Sequence, residues 1–130
     1  MLVLIDIGFL TLHGMLVLFN LVGWIWSRTR RLHLITMGLT MLSWFALGLW
    51  RGFGYCPLTD WHWQVKRQLG QGPLPYSWFK YYLDGLTGYD WNPAFVDGAV
   101  VALGLAAFGL SIAGNLRDWR RARTMRYGHP

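Results

Sequence analysis

Three long apolar runs dominate the sequence, and each is long enough to cross a bilayer. They cover about residues 2–26, 32–50 and 93–116. About twenty apolar residues span the hydrocarbon core as a helix, which rises about 1.5 Å per residue. No Lys or Arg precedes the first run and no small-residue cleavage site follows it, so we expect a retained helix rather than a signal peptide. The sequence therefore predicts an all-α integral membrane protein, a single domain over residues 1–130 with three transmembrane helices.

The composition supports lipid as the solvent for these helices. Hydrophobic residues make up 54% of the chain and charged residues only 14%, against about 25% charged in an average soluble domain. Nine Trp, seven Phe and six Tyr are typical of the aromatic belts that form where a bilayer meets water. The net charge of +6 lies beside apolar spans, so we expect the lipid bilayer as a partner and no nucleic acid.

The positive charges are divided unevenly between the two sides that three spans create. One side carries eight arginines and the other side four Lys or Arg. Because cytoplasmic loops carry the excess of Lys and Arg, we expect a bacterial inner (cytoplasmic) membrane, with the N-terminus outside and the C-terminus inside. The eight arginines are expected to contact anionic lipid or partner protein; they are Arg28, Arg30, Arg31, Arg117, Arg120, Arg121, Arg123 and Arg126.

Residues 51–91 form an extracytoplasmic segment without a run long enough to span. Pro57 suits the first turn of a helix and Gly70 suits a C-terminal stop, so we expect one amphipathic helix between them. A second is expected over residues 76–83, where aromatic residues recur at helical spacing. Helices of this composition tend to lie in the plane of the membrane interface.

The third span is predicted to begin at Asn92-Pro93, an N-cap residue followed by proline in the first turn. A basic tail, residues 117–130, should extend the same helix, with Asp118 spaced to pair with Arg121. Small residues line parts of the span, and in lipid they let helix backbones approach closely. These are Gly98, Ala102 and Ala106, and the row Gly104, Gly109 and Ala113.

His13 lies in the middle of the first span, where an ionisable side chain is costly and a functional role is the first hypothesis. As a haem ligand it would need a partner at similar depth. His33 lies near the cytoplasmic end of the second span, and His62 and His129 lie outside the spans. The structural alternative is a hydrogen bond across the bundle, to Asn20, Thr40 or Ser43.

Aromatic side chains surround the outer mouth of the predicted bundle. Trp61 and Trp63 point to different sides of their helix, so one should face lipid while the other packs inward. Such a cluster can hold a quinone, lipid or pigment ring, although aromatic belts also form without any ligand. The candidate ligand or cofactor residues are His13, Asn20, His33, Trp61, His62 and Tyr81.

The densest motif is Cys56-Pro57-Leu58-Thr59-Asp60. Cys56 is a candidate nucleophile with His62 as its base, but the sequence names no oxyanion hole. A thiol at a membrane edge is more often a small apolar residue, and Thr59 and Asp60 suit the first turn of a helix. One cysteine excludes an internal disulfide and a multi-cysteine metal site. We therefore expect no catalytic residue and no metal.

Several motifs resemble a small bacterial inner-membrane family known as domain of unknown function 2784. They are Arg31-Leu32-His33-Leu34, Cys56-Pro57-Leu58-Thr59, Tyr76 with Tyr82-Leu83, and an intramembrane His followed by an aromatic and a Gly, here His13, Phe19 and Gly23. The resemblance covers about residues 6–110. It implies three spans with an outer interfacial segment, and it brings no activity.

The chain departs from this family at two positions. The family commonly has a Glu a few residues after its Cys-Pro-Leu-Thr block, where this chain offers His62, and a His before the final Tyr-Leu, where this chain has Tyr81. If members of this family share a metal or proton site built from those groups, we expect this chain to lack it.

Together these features favour a non-catalytic accessory or scaffold subunit that packs against larger subunits of a bacterial membrane complex, of respiratory or photosynthetic type by analogy. Two alternatives stay open. One is a redox-associated protein that binds quinone, pigment or haem b, and the other is a thiol-dependent membrane enzyme that uses Cys56 and His62. The sequence itself requires no cofactor.

Overall fold

A computed structural model describes residues 1–128 of the chain. His129 and Pro130, the last two residues of the predicted basic tail, lie outside the described residues. Five helices follow one another: α1 (Leu2–Val22), α2 (Arg30–Arg51), α3 (Pro57–Gln68), α4 (Trp78–Thr87) and α5 (Pro93–Tyr127).

Helices α1, α2 and α5 each contain an 18-residue stretch apolar enough to cross a membrane, with mean hydropathies of 2.2, 1.6 and 2.0 over those stretches. The predicted all-α fold with three membrane spans is confirmed, and the chain is embedded in a membrane through these helices. We call the segment from α3 to α4 the lid, the end of the bundle beneath it the lid end, and the opposite end the arginine end.

Helix α1 ends at Val22 rather than near the predicted residue 26. The chain turns there because Thr29 closes the loop, its hydroxyl donating to the Gly23 carbonyl oxygen at 2.7 Å. A Cβ on Gly23 would lie 2.9 Å from the His33 ring, so the turn depends on a residue without a side chain. Helix α2 then begins at Arg30, two residues before the predicted start.

A π-helical turn over Ser43–Leu47 interrupts α2 near the lid end. Such a turn shifts the backbone hydrogen bonds out of the α-helical register. The Trp44 carbonyl oxygen accepts from the Gly54 N–H at 3.3 Å, and the Ser43 hydroxyl donates to the Tyr55 carbonyl oxygen at 2.7 Å. The π-helical turn therefore forms two hydrogen bonds with the segment that connects α2 to the lid.

The bundle core lies between α2 and α5. Met37, Met41 and Ala107 are buried, and Trp24, Trp44 and Phe108 pack around them. Gly104 permits this contact, since a Cβ there would lie 2.9 Å from the Trp44 ring. Helix α1 contributes less to this core, and packs mainly on α3 of the lid.

The small residues predicted on the third span divide between two faces of α5. Gly104 belongs to the face that packs on α2, together with Ala107 and the fully buried Ser111. The other members of the predicted set are exposed: Gly98, Ala102, Ala106, Gly109 and Ala113. Internal packing therefore accounts for only one of the predicted small positions.

The arginine end is closed by a clasp around Arg30. Its guanidinium donates to both carboxylate oxygens of Asp118, at 2.9 and 2.8 Å, and to the Trp24 carbonyl oxygen at 3.0 Å. The predicted pairing of Asp118 with Arg121 is wrong, because Asp118 faces the bundle and pairs with Arg30, the first residue of α2. Helix α5 continues to Tyr127, which confirms the predicted helical extension into the tail.

Candidate functional site

The lid begins at the Cys-Pro-Leu-Thr-Asp motif. Pro57 occupies the first turn of α3, as predicted, and Asp60 accepts a hydrogen bond from the Tyr55 hydroxyl at 2.8 Å. This bond lowers the pKa of the Asp60 carboxyl and raises the pKa of the Tyr55 hydroxyl. Asp60 therefore holds the residue before the motif against the first turn of α3, whereas Thr59 is buried without a side-chain hydrogen bond in the described chain.

The end of α3 and the linker that follows it connect the two helices of the lid. Gly70 adopts a positive φ of 77° just after α3, as a C-terminal stop requires. The Trp63 indole N–H donates to the Pro75 carbonyl oxygen at 2.7 Å. Helix α4 begins at Trp78 rather than at the predicted Tyr76, because the Ser77 hydroxyl accepts from the Lys80 N–H and caps it.

A buried polar cluster joins the lid to α1. The Asp6 carboxylate lies 2.7 Å from His62 Nε2 and 3.0 Å from Lys66 Nζ. His62 is fully buried and Lys66 is 5% exposed. Lys66 Nζ also donates to Gln71 at 3.3 Å and lies 5.3 Å from the centre of the Tyr81 ring. One carboxylate of a membrane span thus neutralises a buried lysine of the lid.

His62 is positioned as the hydrogen-bonded neighbour of an ionised carboxylate. When Nε2 carries the proton that Asp6 accepts, Nδ1 is left as an acceptor, and Nδ1 has no hydrogen-bond partner among residues 1–128. The Phe9 ring stacks on the imidazole, with centroids 5.7 Å apart. Burial lowers the pKa of His62, and the Asp6 carboxylate offsets this effect only in part.

His13 packs against the lid and not across the bundle as expected. Its ring lies 4.4 Å from the Trp78 ring, centroid to centroid, and no ring nitrogen makes a hydrogen bond within the described chain. The predicted bond to Asn20, Thr40 or Ser43 is wrong, because the Asn20 amide donates to Thr40 itself, at 3.1 Å. Trp78 in turn packs on Tyr82, whose pKa burial raises to about 12.

His33 lies at the arginine end, as predicted, and is fully buried. Its Nε2 lies 2.8 Å from the Asn20 carbonyl oxygen, and its ring meets the edge of Phe19. His33 and His62 each have a ring nitrogen engaged by a protein oxygen, and they lie at opposite ends of the bundle. His33 and His62 therefore cannot be the two axial ligands of one haem b, which must lie at one depth.

A cavity of about 650 Å³ opens between the three spans beneath the lid. Its deep wall is apolar and includes Val17, Met37 and Trp44. His13 lines its middle, Asn20 lies further in, beyond Val17 on α1, and Trp78 and Phe79 cover it from the lid. This volume is within the range of small-molecule sites, about 300–1,000 Å³.

Cys56 also lines this cavity, but it is not organised as a nucleophile with His62. The base that the thiol would require has its Nε2 turned to Asp6. In residues 1–128 the Cys56 thiol has no hydrogen bond to either nitrogen of His62. Cys56 is half-buried and lines the cavity, which His62 does not.

The remaining candidates are divided between surface and interior. Trp61 is 53% exposed and Trp63 is 4% exposed, which confirms that the two indoles face opposite ways. Trp63 meets the edge of the Tyr81 ring. Neither Trp61, His62 nor Tyr81 lines the cavity, whereas His13 and Asn20 do.

Sequence reasoning missed Lys66, which it counted only as an outer charge. One signal could have found it. An aspartate inside a span needs a cation, and on α3 Lys66 follows His62 by four residues, on the same helix face. Among residues 1–128, no group of three or more His, Cys, Asp or Glu is arranged to hold a metal ion.

Three spans under an aromatic lid, with a charged cluster where the lid meets α1, define a small polytopic α-helical membrane protein. The chain belongs to the family described as Protein of Unknown function (DUF2784), whose model matches residues 3–116. The resemblance inferred from its motifs is thus confirmed. No curated protein and no solved structure matches the chain.

Proposed function

We propose that this protein is a non-catalytic accessory subunit, which packs against larger subunits of a membrane complex through the outer face of α5. The observation that carries the proposal is the exposed row of small residues on that helix, Gly98, Ala102, Ala106, Gly109 and Ala113. We name it the outer small-residue face.

The outer small-residue face has no role in the packing of the chain itself. A Cβ built at Gly98 or Gly109 would meet nothing within 4 Å. Glycine inside a helix is less stable than alanine by about 0.5–1 kcal/mol, and lipid tails gain nothing from a flat helix surface. A second transmembrane helix does gain, because backbones approach closely over small side chains.

The proposal places the protein in the bacterial inner membrane with the arginine end in the cytoplasm. The eight arginines at that end against four basic residues at the lid end support this orientation. Apart from Arg30, which Asp118 holds, the arginines of that end are exposed. They suit anionic headgroups or acidic partner surfaces.

The test is co-migration of the tagged chain from its native membrane, solubilised in mild detergent and run on native gels. We expect a particle larger than the free chain, and Gly109→Leu or Ala106→Leu should release the free chain. Gly8→Leu is the matched control, since Gly8 is exposed on α1 and also has open space at its Cβ. Migration of the unmodified protein as a free monomer, or equal release by the control, would contradict the proposal.

A further inference from the structure

We propose that the cavity beneath the lid binds one zwitterionic phospholipid, with an acyl chain between the spans and the phosphate and ammonium groups at the cavity mouth. This inference goes beyond the accessory role. It rests on the cavity alone and on no partner protein.

The inner part of the cavity is suited to an acyl chain. Leu16, Val17 and Leu21 of α1 and Met37 of α2 line it, and the Asn20 amide in the same wall donates to the Thr40 hydroxyl. A hydrocarbon tail gains little by moving from lipid to such a wall, because lipid tails are as apolar as leucine. Selection of a ligand must therefore come from its polar head.

The mouth of the cavity carries balanced charge. Two basic residues, Arg51 and Arg67, and two acidic ones, Asp60 and Asp97, line it, and Asp60 accepts a hydrogen bond from Tyr55. None of these four forms an ion pair within 4.0 Å in residues 1–128, where the five ion pairs involve other residues. Two cations and two anions facing one space without pairing are complementary to a head that carries both signs, and less so to a singly charged anion.

Polar groups deeper in the cavity also lack partners. His13 Nδ1 and Trp78 Nε1 are buried, belong to side chains that line the cavity, and make no hydrogen bond in the described chain. Buried polar atoms are normally satisfied. The ester and glycerol oxygens of a phospholipid lie between head and tail, at the depth where His13 and Trp78 meet.

Cys56 gives a direct readout of occupancy, because it is the sole cysteine and lines the cavity. The protein in an uncharged maltoside detergent is treated with a small maleimide, and alkylation of Cys56 is followed by intact mass. Three single-chain probes of equal chain length are compared, with phosphoethanolamine, phosphoglycerol or glycerol heads. We expect the zwitterionic probe to slow alkylation about tenfold at ten times its Kd, since only the free fraction reacts.

Substitutions of charged residues at the cavity mouth test the proposed head-group site without changing the buried core. Asp97→Asn should weaken the zwitterionic probe roughly fivefold and leave the anionic probe unchanged or tighter, whereas Arg51→Gln should weaken both roughly fivefold. Arg28→Gln, at the arginine end, is the matched control and should change neither. Val17→Phe, which narrows the part of the cavity proposed for the acyl chain, should abolish protection by every probe. Leu18 is 63% exposed, so Leu18→Phe should not.

Four outcomes would overturn the proposal. They are protection by the glycerol-headed probe equal to that of the zwitterionic one, tighter binding of the anionic probe, no protection by any probe, and an unchanged head preference in Asp97→Asn. An uncharged ring amphiphile of quinone type serves as a fourth probe, and stronger protection by it would also reject the lipid.

Discussion

Removing the Asp6 carboxylate should detach the lid from the bundle. In Asp6→Asn the Lys66 ammonium, 5% exposed, keeps only a glutamine oxygen and an aromatic ring as neighbours. Breaking one partner out of a buried ion pair costs about 3–5 kcal/mol, because the other charge stays buried without compensation. The Asp6 side chain is 18% exposed and asparagine still accepts one hydrogen bond, so we expect about 3 kcal/mol, the low end.

This loss should appear as local opening of α3 rather than as global unfolding. Amide hydrogen exchange over residues 57–68, measured in micelles, should quicken roughly a hundredfold, since about 1.4 kcal/mol is a factor of ten. The double variant Asp6→Asn, Lys66→Met removes both charges and should be closer to the wild type than Asp6→Asn alone.

The matched control is Asp90→Asn, which removes another carboxylate bound to a lysine. The Asp90 side chain is 93% exposed, so exchange over residues 57–68 should not change. If Asp6→Asn exchanges like the wild type, or if the double variant is worse than the single one, then the cluster does not fasten the lid.

Three further changes test other parts of the structure. Gly23→Ala places a Cβ 2.9 Å from the His33 ring and should lower the free energy of unfolding by about 1–3 kcal/mol. Gly14→Ala is the control, because a Cβ at Gly14 meets nothing within 4 Å, and it should be neutral or stabilising. Equal effects of the two substitutions would argue against the tight turn at Gly23. Arg30→Lys keeps the charge, but one ammonium cannot bond Asp118 and the Trp24 carbonyl oxygen together as the guanidinium does, so the melting temperature should fall. No fall, or the same fall in Arg28→Lys, would argue against the clasp. The folded state favours neutral His62, because its pKa is lowered. The stability of the lid should therefore be greatest above about pH 6.5 and should fall as the pH drops below that value. Amide exchange over α3, measured from pH 7.5 to 5, should show this pH dependence, and His62→Gln should remove most of it.

The sequence predicted the parts of the fold that depend on local pattern. Apolar length specified the three spans, and Asn92 caps α5 as predicted, accepting from the Ala94 N–H at 2.9 Å. Gly70 ended α3 for the same local reason. Such features follow from hydropathy and backbone conformation within a few residues.

The site depends on contacts between distant parts of the chain, which the pattern does not encode. Asp6 and Lys66 are sixty residues apart, and His13 meets a tryptophan of the lid rather than a polar group of a neighbouring span. The sequence also could not predict which small residues of α5 pack inward, because the face that contacts α2 and the exposed face both contain glycine and alanine.

The most direct test of the account asks whether the lid and the tail of α5 lie on opposite sides of a membrane. In a Cys56→Ala background, Gln68→Cys and Thr124→Cys each place one thiol on an exposed residue, and a membrane-impermeant maleimide is added to intact cells. We expect labelling at position 68, labelling at position 124 only after the membrane is opened, and retention of the chain in the membrane after an alkaline carbonate wash. Labelling of both thiols from the same side, or release of the chain by carbonate, would contradict three spans.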